Sequence, residues 1–194
     1  MEAEMTCIVG LVDRGDVYIG ADSAGVAEYD LMIRADEKVF RKGEFVFGFT
    51  SSFRMGQLLR YKFEPPDHPQ RMSIYEYMVA RFIDAVRECL KTGGYQKIKD
   101  NVDTGGFFLV GYRGCLFRVE SDYQVGRTKI PFDAVGCGAP YALGALFASS
   151  AYSGPRTRIL KAIKAAESFC TAVRGPFKIL KCSAPSASSA ANTK

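Results

Sequence analysis

Three residues in this chain of 194 have the types and spacing for one kind of chemistry. Thr6 stands directly ahead of the β-rich run CIVGLV, Asp22 follows sixteen residues later, and Lys38 sixteen after that. A threonine hydroxyl is a weak nucleophile until a base takes its proton. When threonine is the first residue of a chain its own α-amine, with a reference pKa of roughly 7.7 to 8.0, can take that proton near neutral pH. An aspartate beside a lysine holds the ammonium in place, and a crowded setting lowers the lysine's pKa. These are the parts of a threonine nucleophile that needs no histidine. Each also has a plain structural reading: threonine favours strand starts, Asp22 suits a turn or cap, and Lys38 suits a surface. The matched spacing is what favours chemistry.

Independence from histidine matters because the one histidine, His68, sits in the proline-bounded loop EPPDHPQ. It reads as a surface residue and not as a base. Ser–His and Cys–His catalysis both need a positioned imidazole. Zinc sites commonly use several closely spaced His or Cys ligands, whereas the six cysteines (7, 89, 115, 137, 170 and 182) lie apart with no CxxC. They read as structural thiols of a reducing compartment. No metal and no cofactor are expected. The opening MEAEM has neither a basic nor an apolar signal region, and no run approaches the roughly 18 apolar residues of a membrane span. A cytoplasmic protein without membrane contact is expected. The net charge of +5 comes largely from residues 156–181. Without an aromatic-interleaved basic motif, this stretch reads as a solvated helix face or subunit interface, and nucleic acid is not expected as a partner.

The elements that must position Thr6, Asp22 and Lys38 are legible in outline. CIVGLV (7–12) and VYIGA (17–21) flank Arg14-Gly15 and predict a hairpin whose paired residues sum to 29, which places Thr6 opposite Ser23 and beside Asp22. KVFR (38–41) and EFVFGF (44–49) predict a second hairpin turning at Lys42-Gly43. Residues 52–63 show helical spacing. Residues 73–91 predict an amphipathic helix capped by Ser73, with Tyr75, Met78, Val79, Phe82, Ile83 and Val86 on its buried face. A meander follows at 106–112, 115–121 and 123–129, then a short strand, a glycine-rich turn and a helix, a helix at 156–173 and a strand at 177–182. Strands and helices in runs, without βαβ alternation, predict an α+β layered domain. Residues 183–194 are small and polar and read as a disordered tail.

The segments Thr6-Cys7-Ile8-Val9-Gly10, Gly20-Ala21-Asp22-Ser23, Lys38-Val39-Phe40, Gly48-Phe49-Thr50-Ser51 and Gly136-Cys137-Gly138-Ala139-Pro140-Tyr141-Ala142 together resemble the N-terminal nucleophile hydrolases of the proteasome β-subunit and HslV branch. The resemblance spans most of residues 6–182 and implies a four-layer αββα sandwich. It implies Thr6 as nucleophile and base, Lys38 as the group tuning the site's proton affinity, and Asp22 as the residue orienting Lys38. Backbone N–H groups near Thr50 and Ser51 would form the oxyanion hole, and Ser51, Ser52, Phe53 and Arg54 would line the substrate pocket. Ser23, Cys137, Ser168 and Thr171 would support the site. Further implications are a peptide or unfolded-protein substrate, a homo-oligomeric ring and a partner AAA+ unfoldase.

This chain departs from the family pattern at Cys137, where serine is common, and at Ser168-x-x-Thr171, where many active subunits have Asp-x-x-Ser. A thiol is the poorer hydrogen-bond partner. Residues 1–5 bear directly on activity, since Met5 would acylate the Thr6 nitrogen. They read as a short self-cleaved propeptide, as sequence ahead of a start at Met5 whose removal exposes Thr6, or as a retained extension. A retained extension favours an inactive ring or scaffold subunit. A small-amide hydrolase of the same superfamily is a further reading.

Overall fold

The computed structural model describes residues 5–99, 102–149 and 153–184. Of the expected extension only Met5, and of the expected tail only Ser183 and Ala184, fall among them. In chain order the elements are β1 (Ile8–Asp13), β2 (Asp16–Ala21), β3 (Ala24–Ala27), β4 (Asp30–Ile33), β5 (Val39–Lys42), β6 (Phe45–Phe49) and α1 (Phe53–Tyr61). A helix in three parts follows: α2 (Ile74–Tyr77), a π-helical turn (Met78–Phe82) and α3 (Ile83–Thr92). Then come β7 (Lys97–Lys99), β8 (Val102–Thr104), β9 (Phe108–Tyr112), β10 (Cys115–Val119), β11 (Val125–Gly126), β12 (Phe132–Val135), α4 (Ala139–Ala148), α5 (Pro155–Phe169) and β13 (Lys178–Cys182).

The large strands form two antiparallel sheets, ordered β12-β1-β2-β13 and β11-β10-β9-β6-β5. Three apolar layers hold them. Ile8, Val17, Ile19, Val39, Val46 and Leu109 pack between the sheets. Phe47, Phe63, Phe82 and Tyr112 pack between the second sheet and α1–α3. Val9, Leu11, Ile159 and Ile163 pack between the first sheet and α4–α5. The result is the αββα sandwich, with each central sheet buried on both faces. That double burial explains why β6 reads as continuous FVFGF rather than alternating. Gly48 lies where the sheets approach closely, and a Cβ there would sit 2.5 Å from the Ile8 side chain and 2.6 Å from that of Ile19.

The β1–β2 register sums to 29, as the Arg14-Gly15 turn dictates, and both turn residues have positive φ. The second hairpin differs by one residue from the expectation. Lys42 pairs with Phe45, so the turn is Gly43-Glu44, with Gly43 taking the positive φ of +54°. The stripe expected on residues 73–91 is also corrected. Tyr75 and Val79 are exposed, while Tyr77 and Leu90 are buried. The π-helical turn adds a residue to one turn and rotates the inward face, so that Tyr77 and Phe82 both point into the core. The last long helix ends at Phe169 and not at 173. Two short hairpins, β3–β4 and β7–β8, were not foreseen from the sequence. Among the described residues no helix is long and apolar enough to cross a membrane.

Candidate active site

Thr6 enters the first sheet just before β1, and Asp22 leaves it just after β2, so the hairpin register sets them side by side. Asp22 N–H donates to the Cys7 carbonyl at 3.4 Å, which extends the ladder one residue past the strands. Lys38 begins the second hairpin on the facing sheet. Its side chain crosses to reach both: Nζ lies 3.0 and 3.1 Å from the two Asp22 carboxylate oxygens and donates to Thr6 Oγ1. The Thr6 hydroxyl in turn donates to Asp22 Oδ1. All three side chains are buried, with Thr6 2%, Asp22 1% and Lys38 3% exposed.

Charged groups this deep need partners. The Asp22 carboxylate has them, accepting from Cys7 N–H at 3.0 Å, Ala24 N–H at 2.9 Å and Arg174 N–H at 3.5 Å. Burial lowers the pKa of the Lys38 ammonium below its ordinary value, and the Asp22 charge opposes that fall. The Thr6 carbonyl is held from the far side by Gly138 N–H at 3.1 Å and by the Cys137 thiol at 3.4 Å. Gly136 makes this approach possible. Its φ is +97°, and a Cβ there would collide with the Thr6 carbonyl oxygen.

A cleft of about 100 Å³ opens over Thr6, lined by Met5, Gly25, Val26, Lys38, Phe49, Thr50, Ser51, Ser52 and Phe53. No protein-family profile matches the sequence, and no curated protein matches it either. Solved structures do match in shape. Thiobacillus denitrificans BPH shares 24% identity at a TM-score of 0.74, over 93% of this chain and 100% of that one. The same protein in complex with epoxomicin gives 23% and 0.72. HslV from Trypanosoma brucei shares 14% identity at 0.64, over 90% and 98% of the two chains. Anbu from Yersinia bercovieri shares 14% at 0.62, over 91% and 81%. The fold is that of the proteasome-like N-terminal nucleophile hydrolases.

Within this proteasome-like fold the remaining sequence-predicted site residues divide. Thr50, Ser51 and Ser52 line the cleft with Phe53, whereas Arg54 turns away and donates to the Gly93 carbonyl at 3.3 Å. The Thr50 and Ser52 N–H groups are engaged by the Phe107 and Thr50 carbonyls at 3.1 and 2.8 Å, so neither is positioned as an oxyanion donor. Ser51 adopts φ +68°, a left-handed conformation of the kind that concentrates at functional sites. Ser23 faces the segment after α5, with its hydroxyl donating to the Pro176 carbonyl at 2.6 Å. Ser168 is exposed and bonds within its own helix, to the Lys164 carbonyl at 3.0 Å. Thr171 is exposed as well. Ser168 faces outward from within α5 and Thr171 follows its end, while Cys170 and Arg174 are the residues of this segment that reach the site. His68 is half-buried, stacked on Tyr77 with centroids 4.3 Å apart, and its nitrogens face Tyr112 Oη and the Met72 carbonyl. A larger hollow of about 490 Å³ surrounds it at the opposite end of the sheets, where Lys42–Glu64 and Arg113–Glu44 already pair their charges. Among the described residues no group of three or more His, Cys, Asp or Glu side chains could hold a metal ion.

Proposed function

We propose that this chain is a threonine peptidase whose nucleophile is Thr6 once the Met5–Thr6 bond has been cleaved. The observation that carries this reading is the buried contact of the Thr6 hydroxyl with both Lys38 and Asp22 at the floor of an open cleft. The freed α-amine, directly or through a water, takes the hydroxyl proton as Oγ1 attacks a peptide carbonyl carbon. The Lys38 cation stabilises negative charge on Oγ1, and Asp22 keeps Lys38 in place. Collapse of the tetrahedral adduct transfers the proton to the leaving amine and leaves an ester on Thr6. Water then cleaves the ester and restores the hydroxyl. The four-residue wall from Thr50 to Phe53 and the Gly25-Val26 strand bound the space for one substrate side chain.

Assembly belongs to the same proposal. The β3–β4 hairpin beside the cleft exposes Tyr29, Leu31, Met32 and Ile33, and the α4–α5 surface exposes Phe147 and Phe169. Contiguous exposed apolar groups mark interaction surfaces. They suit a homo-oligomeric ring in the cytoplasm, served by an AAA+ unfoldase that delivers unfolded chains. Basic side chains of residues 156–181 are partly engaged within the chain, Lys178 with Glu37 at 2.8 Å and Lys181 with Asp16 at 2.7 Å.

One observation favours a second reading. Met5 itself lines the cleft, where a retained bond to Thr6 would block the amine. If Met5 is retained, the protein is an inactive ring or scaffold subunit. The intact mass and N-terminal residue of the purified protein separate the two, followed by hydrolysis of fluorogenic peptides by protein beginning at Thr6. Epoxomicin, bound by Thiobacillus denitrificans BPH, is the inhibitor to apply. Protein beginning at Thr6 that hydrolyses no peptide and ignores epoxomicin would sink the peptidase reading.

A further inference from the structure

Behind Thr6, on the side away from the cleft, two thiols meet. Cys137 Sγ and Cys170 Sγ are 3.2 Å apart, and both residues are half-buried. They come from separate parts of the fold. Cys137 belongs to the Gly136–Gly138 turn that grips the Thr6 carbonyl, through its own thiol at 3.4 Å and Gly138 N–H at 3.1 Å. Cys170 caps the C-terminal end of α5 and opens the segment whose Arg174 N–H reaches Asp22 Oδ2 at 3.5 Å. Cys7 lies near the pair, and its thiol feels both of theirs, but the 3.2 Å contact joins Cys137 to Cys170. Cys182 directs its thiol at the Glu44 carbonyl and Cys89 at the Leu58 carbonyl, and Cys7 is fully buried.

We infer that Cys137 and Cys170 form a redox-modification site, at which hydrogen peroxide joins them in a disulfide directly behind the Thr6 nucleophile. Closing the bond asks the two sulfurs to approach by about 1.1 Å, to the usual separation of about 2.05 Å. One thiol loses its proton, and its sulfur attacks a peroxide oxygen. The O–O bond breaks, water leaves, and that cysteine becomes a sulfenic acid. The second sulfur attacks the sulfenic sulfur, an S–S bond forms, and a second water leaves. Two thiols are oxidised and one peroxide is reduced to two waters. Burial and the Cys170 contact push the Cys137 thiol up, and either thiol of the pair can take the first step, with the other resolving it. Dithiol reductants reverse the bond. The cross-link removes the Cys137 thiol that donates to the Thr6 carbonyl, and it ties the turn holding Thr6 to the segment holding Asp22. The site stands whether or not the chain hydrolyses peptides, so its test needs no peptidase assay.

The test treats the full-length protein with hydrogen peroxide, alkylates free thiols under denaturing conditions, and maps non-reduced peptides. The expected result is a fall in free thiols from the six of the sequence to four, a single linkage joining the peptides of Cys137 and Cys170, and recovery of six after dithiothreitol. Cys170→Ser removes the linkage and keeps five thiols through the same treatment. Should that variant fail to fold, the wild-type peptide map decides alone. Six free thiols after peroxide, a linkage of either residue to Cys7, or sulfinic acid at Cys137 or Cys170 without a cross-link would each overturn the inference.

Discussion

Replacing Asp22 with asparagine isolates the electrostatics on which the candidate site depends. The side chains of Asp22 and Lys38 are 0% and 3% exposed, and their nearest atoms lie 3.0 Å apart. Asparagine keeps the shape but removes the charge and turns an NH₂ toward groups that donate. Removing one partner of a buried ion pair costs about 3–5 kcal/mol, because the other charge is left uncompensated. Lys38 sets an independent ceiling, since the stranded ammonium can shed its proton. With an unfolded pKa of about 10.4, holding a lysine neutral at pH 7 costs about 4.6 kcal/mol, at about 1.36 kcal/mol per pH unit; at pH 9 the figure is about 1.9 kcal/mol. The two estimates agree at neutral pH. The sign of the pH dependence follows from burial. Burial already lowers the Lys38 pKa while Asp22 opposes it, so without Asp22 the folded state binds fewer protons than the unfolded state. Stability of the variant therefore rises with pH up to the unfolded lysine pKa. Urea denaturation followed by circular dichroism at pH 7, 8 and 9 measures this for wild type, Asp22→Asn, Lys38→Met and the double variant. The expected loss for Asp22→Asn is about 3–5 kcal/mol at pH 7, smaller by up to about 2.7 kcal/mol at pH 9. The double variant should be more stable than the sum of the single losses predicts. A loss under about 1 kcal/mol at pH 7, or one that does not change between pH 7 and pH 9, refutes a buried charged pair.

Three further outcomes are expected. Thr6→Ala, in protein beginning at residue 6, reduces fluorogenic peptide hydrolysis to background while circular dichroism stays native; the wild-type rate rises with pH through the α-amine's range of roughly 7.7 to 8.0. Gly136→Ala forces a Cβ against the Thr6 carbonyl at φ +97° and lowers stability by about 1–3 kcal/mol, read as a shift of the urea midpoint, with a loss of hydrolysis larger than that stability change explains. Ser52→Ala removes the oxygen that accepts Arg54 N–H at 3.1 Å at the start of α1 and costs about 1 kcal/mol by the same denaturation measurement; a larger effect on hydrolysis than on stability would tie the α1 start to the cleft.

What the sequence made legible was local. A two-residue turn at Arg14-Gly15 fixes a register, and a register carries Asp22 to Thr6 without further information. The same reasoning slipped by one residue at Gly43-Glu44, because lysine-glycine and glycine-glutamate are both acceptable two-residue turns and only the packing of Phe45, Phe47 and Phe49 on the helix side selects between them. The β3–β4 hairpin escaped notice because β4 is exposed along its whole length and has no alternating burial to betray it. The π-helical turn left no mark either, since a helical stripe read at 3.6 residues per turn assigns Tyr75 and Val79 to the face that the extra residue gives to Tyr77; Leu90 instead continues the Ile83 and Val86 stripe of α3.

The supporting residues show where local reading stops. Ser168 and Thr171 were expected at the site from the resemblance alone, and a motif spacing does not say which way a helical side chain faces or where its helix ends. With α5 ending at Phe169, Cys170 N–H makes the last i→i−4 bond, to the Ala166 carbonyl at 2.8 Å, and a turn to Val173 follows before the backbone reaches other partners. Arg174 N–H turns to Asp22, and the Arg174 carbonyl accepts Ser23 N–H at 2.8 Å. The position that serine or aspartate side chains were expected to serve is thus filled by backbone groups and by the Cys170 thiol, none of which a motif of side-chain types can display. The departures from the family pattern at residues 137 and 168–171 are then one change and not two. Cys137 and Cys170 pack against each other, so the polar contacts expected behind Thr6 are replaced there by a pair of thiols. A double-mutant cycle of Cys137→Ser with Cys170→Ser tests that coupling directly. If the two sites are one packed unit, the double variant's stability loss differs from the sum of the single losses by at least about 0.5 kcal/mol, in either sign; simple additivity would separate them again.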